Sequence, residues 1–262
     1  MTNDRQQAIL DNVIHDEDHQ SNRRKLLGLY GMVAERQNRR IASACAGSSV
    51  LDVGAGYGNL TQHLQKWGFE CTGIEIDTEK IPLASQWYGV ELKRRDIHDS
   101  GYADGQFDTV VFREVIRHLR LAEVVSEAAR IAGRRVVVFQ ANPILMLRLA
   151  YKLTGHHEHA QYGLDDIAQT LRNAGLTVRR IQYFDTIAFP LSGGYIGRQL
   201  IPNWRWLARL VMGIDWAVTS LVRMLGLGRW MCYRGLIVAE KKPEKDFTQR
   251  ALKTRRRSSA EE

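Results

Sequence analysis

Short apolar runs alternating with helix-like stretches set the character of this chain. Val50-Leu51-Asp52-Val53 is a compact apolar run that enters a glycine-rich turn, and Leu60 to Trp67 beyond it reads as a helix. Further runs follow at Cys71 to Asp77, Val90 to His98 and Gly133 to Pro143, each read as a strand, and Phe107 to Leu119 reads as a strand with a following helix. A late helix is predicted over Leu164–Ala174, stopped by Gly175, with a strand over Leu176–Phe184 directly after it. Met231 to Glu240 supplies one more strand. Apolar residues between Ser21 and Ala44 alternate with basic ones and predict one or two helices ahead of the first strand. Strands alternating with helices give an α/β fold class.

The turn after the first strand carries the chemistry. Gly54, Gly56 and Gly58 stand at alternate positions, so a ligand can approach the backbone, and the following helix start offers free N–H groups. The spacing is Gly-x-Gly-x-Gly; Asn59 stands where a dinucleotide fingerprint needs its third glycine. An acidic residue closes the second strand, where a carboxylate can accept both hydroxyls of a ribose.

With Val50-Leu51-Asp52-Val53 before it, this loop resembles motif I of the class I S-adenosylmethionine (SAM)-dependent methyltransferases. Four later elements extend the resemblance over about residues 48–143. It implies SAM as cofactor, with Gly54 and Gly56 at the loop and Asp52 supporting it. It places the ribose carboxylate on Glu75 rather than Asp77, and the adenine contacts on Asp96 and Ile97. Backbone at Phe112 and Arg113 is expected to face the methionine end. It further implies a Rossmann-like seven-stranded sheet of order 3-2-1-4-5-7-6, the last strand antiparallel, with helices on both faces. Glu114-Val115-Ile116-Arg117-His118 resembles the Glu-Val-x-Glu-His stretch of the quinone-biosynthesis O-methyltransferases, some of which bind a divalent metal there. Arg117 replaces the second acid, so no metal is expected.

Methyl transfer to oxygen needs a base, and histidine is the usual one near neutral pH. His118, His157 and His159 are the candidates. His156-His157-Glu158-His159 has no fourth ligand at a zinc spacing. No Asn-Pro-Pro-Tyr or Asp-Pro-Pro-Tyr follows the fourth strand and no Pro-Cys pair occurs, which argues against methylation of nucleic-acid bases by those two mechanisms.

Asp185 to Trp230 is an insertion before the last strand, and it holds four of the six tryptophans. On a helical wheel of Trp204 to Leu225, Arg205, Arg209, Asp215, Thr219 and Arg223 share one face. Leu207, Leu210, Val211, Ile214, Val218, Leu221 and Leu225 fill the opposite side. Three readings are open: a lid resting its apolar face on its own domain, a lid that also contacts a membrane, or a dimer interface. The segment is too charged to span a bilayer.

Composition then narrows the partners. The 262 residues are 44% hydrophobic and 25% charged, ordinary globular values. The net charge of +8 favours an anionic partner, but the basic pairs are scattered, which argues against a dedicated nucleic-acid groove. Cys45, Cys71 and Cys232 share no metal spacing and fit a reducing compartment. The polar start Met1–Gln7 predicts no signal peptide, hence a cytoplasmic protein, with peripheral contact at the inner membrane surface as a further option. Residues 1–45 are expected to be a helical segment, partly disordered. Residues 46–240 form the expected methyltransferase domain with the 185–230 insertion, and residues 241–262 a basic disordered tail. The expected function is methyl transfer from SAM to a small or lipid-like acceptor. The alternatives are an RNA or protein methyltransferase and a non-catalytic SAM-binding protein at a membrane surface or scaffold.

Overall fold

The computed structural model describes residues 28–142, 162–193, 200–202 and 204–241. Within them lies one seven-stranded sheet of order β3-β2-β1-β4-β5-β7-β6. The strands are β1 (Ser49–Val53), β2 (Glu70–Glu75), β3 (Leu92–Arg94), β4 (Phe107–Arg113), β5 (Ala132–Ala141), β6 (Leu176–Phe184) and β7 (Arg234–Lys241). Strands β1 to β5 pair in parallel, and β7 runs antiparallel between β5 and β6. The expected order and the antiparallel last strand are therefore both observed. The helices are α1 (Leu29–Ala44), α2 (Asn59–Lys66), α3 (Lys80–Tyr88), α4 (Leu121–Ile131), α5 (Leu164–Asn173), α6 (Ala188–Leu191), α7 (Arg205–Met224) and α8 (Gly228–Met231).

The sheet is apolar on both faces because helices cover both. Val110, Phe112, Val136 and Val138 pack with Val124 of α4 and Ile167 of α5. Val111, Val137 and Phe139 turn the other way, toward Ile41 of α1 and Leu64 of α2. Gly175 stops α5 at φ +85°, a left-handed turn that favours glycine, and β6 starts at the next residue.

Several boundaries differ from expectation: β2 and β5 end two residues early, at Glu75 and Ala141, and Ile116–His118 is a 3-10 turn, the helix starting only at Leu121. β3 is three residues long, not nine, because after Arg94 the Asp96 side chain takes the His98 N–H and folds the chain into a 3-10 turn over Ile97–Asp99. Met231 belongs to α8, and β7 begins at Arg234.

The insertion gives a larger correction. α7 forms where the sequence places it, but only part of its apolar side, Leu207 and Val211, packs on the domain. Ala208, Val211, Asp215, Thr219 and Val222 face inward, whereas Leu210, Ile214, Leu221 and Leu225 are exposed. The physical reason is a buried ionic cluster. Asp215 Oδ1 accepts the N–H groups of Thr186 (3.0 Å), Ile187 (2.6 Å) and Ala188 (2.9 Å) at the start of α6. Its Oδ2 lies 2.6 Å from the guanidinium of Arg36 on α1. The same guanidinium donates to Asp185 Oδ1 at 2.8 Å, and Gln37 donates to Asp185 Oδ2 at 2.6 Å. Asp185 is fully buried and sits at φ +62°, where a non-glycine residue is strained. Burial pushes the guanidinium of Arg40, 3.4 Å from Asp185, down to about 10. This cluster ties α1, α6 and α7 together at the end of β6. It outweighs the apolar pattern in choosing which side of α7 turns inward.

Candidate functional site

The carboxyl ends of β1, β2 and β4 meet at the glycine loop. Its three glycines are all left-handed, at φ +66°, +57° and +81°, yet they serve different ends. A Cβ on Gly54 would lie 2.4 Å from Val115 Cγ2, and one on Gly58 would lie 2.4 Å from Val90 Cγ2. Both close the loop against its neighbours. A Cβ on Gly56 would meet nothing within 4 Å. The open side of the loop is therefore at Gly56 alone.

Glu75, at the end of β2, is almost fully buried and holds the loop in place. Its Oε2 accepts the Gly56 N–H at 2.7 Å, and its Oε1 accepts the N–H groups of Ile76 (2.8 Å) and Asp77 (3.0 Å). A carboxylate has about four acceptor positions, so about one is left for a ligand hydroxyl. Asp77 instead pairs with Lys80 at 3.0 Å.

Asp52, one residue before the end of β1, is buried and accepts the Thr61 hydroxyl of α2 at 2.8 Å. Burial raises its carboxyl to about 6, against the opposing effects of the Thr61 hydrogen bond and Arg113. It acts on the loop through the strand–helix joint. Asp96 Oδ1 accepts both the His98 N–H (2.9 Å) and a contact from its Nδ1 (2.7 Å). Burial works to raise the Asp96 carboxyl, but these His98 contacts outweigh it and the net shift is downward. Ile97 is buried in the core beside Phe112. The Arg113 guanidinium donates to Asn59 Oδ1 at 3.2 Å, and Asn38 of α1 donates to the same oxygen at 2.9 Å. The structure thus gathers Asp52, Gly54, Gly56, Glu75, Phe112 and Arg113 around one loop, with Asp96 and Ile97 beyond β3.

Directly after β4, Glu114 takes a left-handed backbone (φ +58°) and donates its N–H to Phe139 O at 2.8 Å. Its Oε1 lies 3.0 Å from Nε of the buried Arg234, whose guanidinium stacks 3.8 Å from the Phe189 ring centroid. His118 is exposed on a 3-10 turn (Ile116–His118), and its Nε2 accepts from Arg117 Nε at 2.9 Å. His157 and His159 lie outside the described residues, as does the rest of the 156–159 histidine loop. Among the described residues no group of three or more His, Cys, Asp or Glu side chains is arranged to hold a metal ion.

Sequence reasoning missed Asn38, Asn59, Arg36 and the Glu114–Arg234 pair. Asn59 was visible as the residue that breaks the dinucleotide pattern. The others are fixed by contacts between segments far apart in sequence, and no local signal marks them.

Residues 51–137 match a family model described as "Methyltransferase domain". The matched stretch runs from β1 into β5, about a third of the chain. A curated relative, a ubiquinone biosynthesis O-methyltransferase of Methylococcus capsulatus, is 32% identical over 104 residues, which are 37% of this chain and 44% of that protein. The match thus spans less than half the length of that relative. A SAM-dependent methyltransferase from Archaeoglobus fulgidus superposes with a TM-score of 0.57 at 19% identity, covering 80% of this chain and 94% of the other. The [4+2]-cyclase SpnF superposes with a TM-score of 0.54 at 15% identity, covering 81% and 83%. These two likenesses concern the fold. The second belongs to a protein named for a cyclisation, so the methyltransferase fold alone does not fix a reaction. The site must be judged on its own chemistry. An open glycine backbone beside a buried carboxylate with an acceptor position to spare fits the ribose and methionine parts of SAM.

Proposed function

We propose that this methyltransferase domain binds SAM and transfers its methyl group to a small, lipid-like acceptor taken up at a membrane surface. The observation that carries the first half is Glu75 bound to the Gly56 N–H beside open space. Glu75 receives the ribose hydroxyls, the Gly54–Gly56 backbone passes along the methionine part, and Asp96 with Ile97 borders the adenine. Phe112 and Arg113 flank the methionine end, with Asn38 and Asn59 holding the Arg113 guanidinium.

The chemistry is an in-line displacement. The acceptor's lone pair forms the new bond to the methyl carbon, and the carbon–sulfur bonding pair returns to sulfur, leaving S-adenosylhomocysteine. The protein's part is alignment, which can supply roughly 7–11 kcal/mol. A hydroxyl acceptor must also lose its proton, and we assign that role to one of His118, His157 and His159. The lipid-like acceptor class is supported by the quinone-related relative and by the apolar face of the insertion. The test incubates the protein with methyl-labelled SAM and a cell extract, then separates lipid from aqueous material. Label in the lipid fraction is expected. Label only in the aqueous fraction would overturn the acceptor class, and bound SAM with no transfer would overturn catalysis.

A further inference from the structure

The exposed side of α7 and α8 is the least water-like surface described. Trp206 (61% exposed), Leu210 (52%), Leu221 (50%) and Met224 (77%) lie along its outermost line, and Trp216 (66%) stands on one flank. At about 100° per residue, Arg205, Arg209 and Arg223 line that same flank beside Trp216. Trp204 stacks on Trp206 with ring centroids 5.9 Å apart. Trp230 and Met231 of α8 continue the exposed surface.

The orientation is fixed. A helix with this composition on a water-soluble domain would turn its leucines inward. Here Asp215 is held inward by three backbone N–H groups and Arg36, and the hydroxyl of Thr219 meets that of Thr186. The apolar side is thereby held outward, as a contiguous patch that calls for a covering partner.

We propose that this face is a docking surface for an anionic lipid bilayer, with α7 lying in the plane of the interface. Three observations select that occupant. No described helix is long and apolar enough to cross a membrane, so a lipid contact by α7 is in-plane. Between Trp204 and Met231 stand four arginines and one carboxylate, and that carboxylate, Asp215, is buried. The exposed charge on α7 is therefore positive, carried by Arg205, Arg209 and Arg223, and complements acidic headgroups, whereas Arg229 of α8 pairs with Asp165 of α5. Trp216, at the border of the apolar strip, suits the headgroup level, where an aromatic body meets a polar tip. A helix of 20 residues lays about 30 Å of chain along the surface. Its neighbour α6, held against the inward side of α7, carries Phe189, which stacks on Arg234. This deepens the proposed function and rests on it for its purpose, the delivery of an apolar acceptor. The surface itself is tested without any acceptor.

The test uses the full chain and vesicles of phosphatidylcholine alone or with 30% phosphatidylglycerol. Co-sedimentation and tryptophan emission are read together. We expect binding to the anionic vesicles with a blue shift, weakening with salt, and at least tenfold weaker binding to neutral ones. Leu210→Glu with Leu221→Glu should abolish binding while SAM affinity is unchanged. Arg205→Gln with Arg209→Gln, which leaves the apolar strip intact, should lower partitioning about fivefold per arginine. No binding of folded, SAM-binding protein to anionic vesicles overturns the proposal. So does a dimer in sedimentation equilibrium that Leu210→Glu with Leu221→Glu dissociates while vesicles are not bound, since a second copy then covers the face. Vesicle binding without methyl transfer would overturn the proposed function and leave this surface standing.

Discussion

At the residue scale, the site rests on the difference between glycines that look equivalent in sequence. Gly54 and Gly58 are glycine because Val115 and Val90 occupy the space of a side chain; Gly56 is glycine with open space beside it. Gly54→Ala should therefore cost about 2–5 kcal/mol, from left-handed strain and overpacking together, read by denaturant unfolding. Gly56→Ala should cost only about 1–2 kcal/mol of strain and act instead on SAM affinity. Equal destabilisation by the two would contradict the assignment. Asp52 gives a pH signature. Its folded carboxyl is raised from 3.8 to about 6, chiefly by burial, so the folded protein holds that proton more tightly than the unfolded chain. The resulting stability is full below about pH 4 and is lost as pH rises through about 6, an effect on the order of 3 kcal/mol. Asp52→Asn should flatten the stability profile between pH 4 and 6 relative to wild type, in urea unfolding at several pH values. An unchanged slope would mean that Asp52 is ionised in the folded state throughout.

At the scale of elements, periodicity located α7 to within a residue at each end but not its orientation. A wheel separates two faces; it does not say which one turns inward when a distant segment supplies the charge partner. Arg36 lies about 180 residues before Asp215, and the pair decides the matter. Strand β3 was overextended for a related reason, because the Asp96 side chain captures the His98 N–H and ends the strand early. β1 was legible almost to the residue because burial on both faces leaves no choice, and β6 because Gly175 marks where it starts. The cluster itself predicts a large effect. Arg36→Met leaves Asp185 and Asp215 without their shared cation and should destabilise the protein by about 3–5 kcal/mol. Hydrogen exchange should then rise first in α6 and α7, while the β1–β4 centre of the sheet stays protected. Uniform loss of protection would show that the insertion is not a separable unit.

At the scale of the whole molecule, the sheet order and the cofactor loop were legible together, because both follow from the β1 loop and the resemblance it carries. The group beyond β4 was not. Glu114, Arg234 and Phe189 come from the turn after β4, from β7 and from α6, and only the completed sheet brings them together. The thiols add a global expectation. Burial pushes Cys45 up to about 12 and Cys232 up to about 11, and Cys71 lies higher still. All three are free, so a reductant should leave the thermal midpoint unchanged and alkylation near pH 7 should be slow until the protein unfolds. Every functional statement depends on the cofactor site, so the most direct measurement is calorimetric titration of wild type and Glu75→Ala with SAM. The account predicts one saturable site per chain in wild type and an affinity at least tenfold weaker in a folded Glu75→Ala. Folded wild-type protein that does not bind SAM, or a Glu75→Ala variant that binds it equally well, would contradict it.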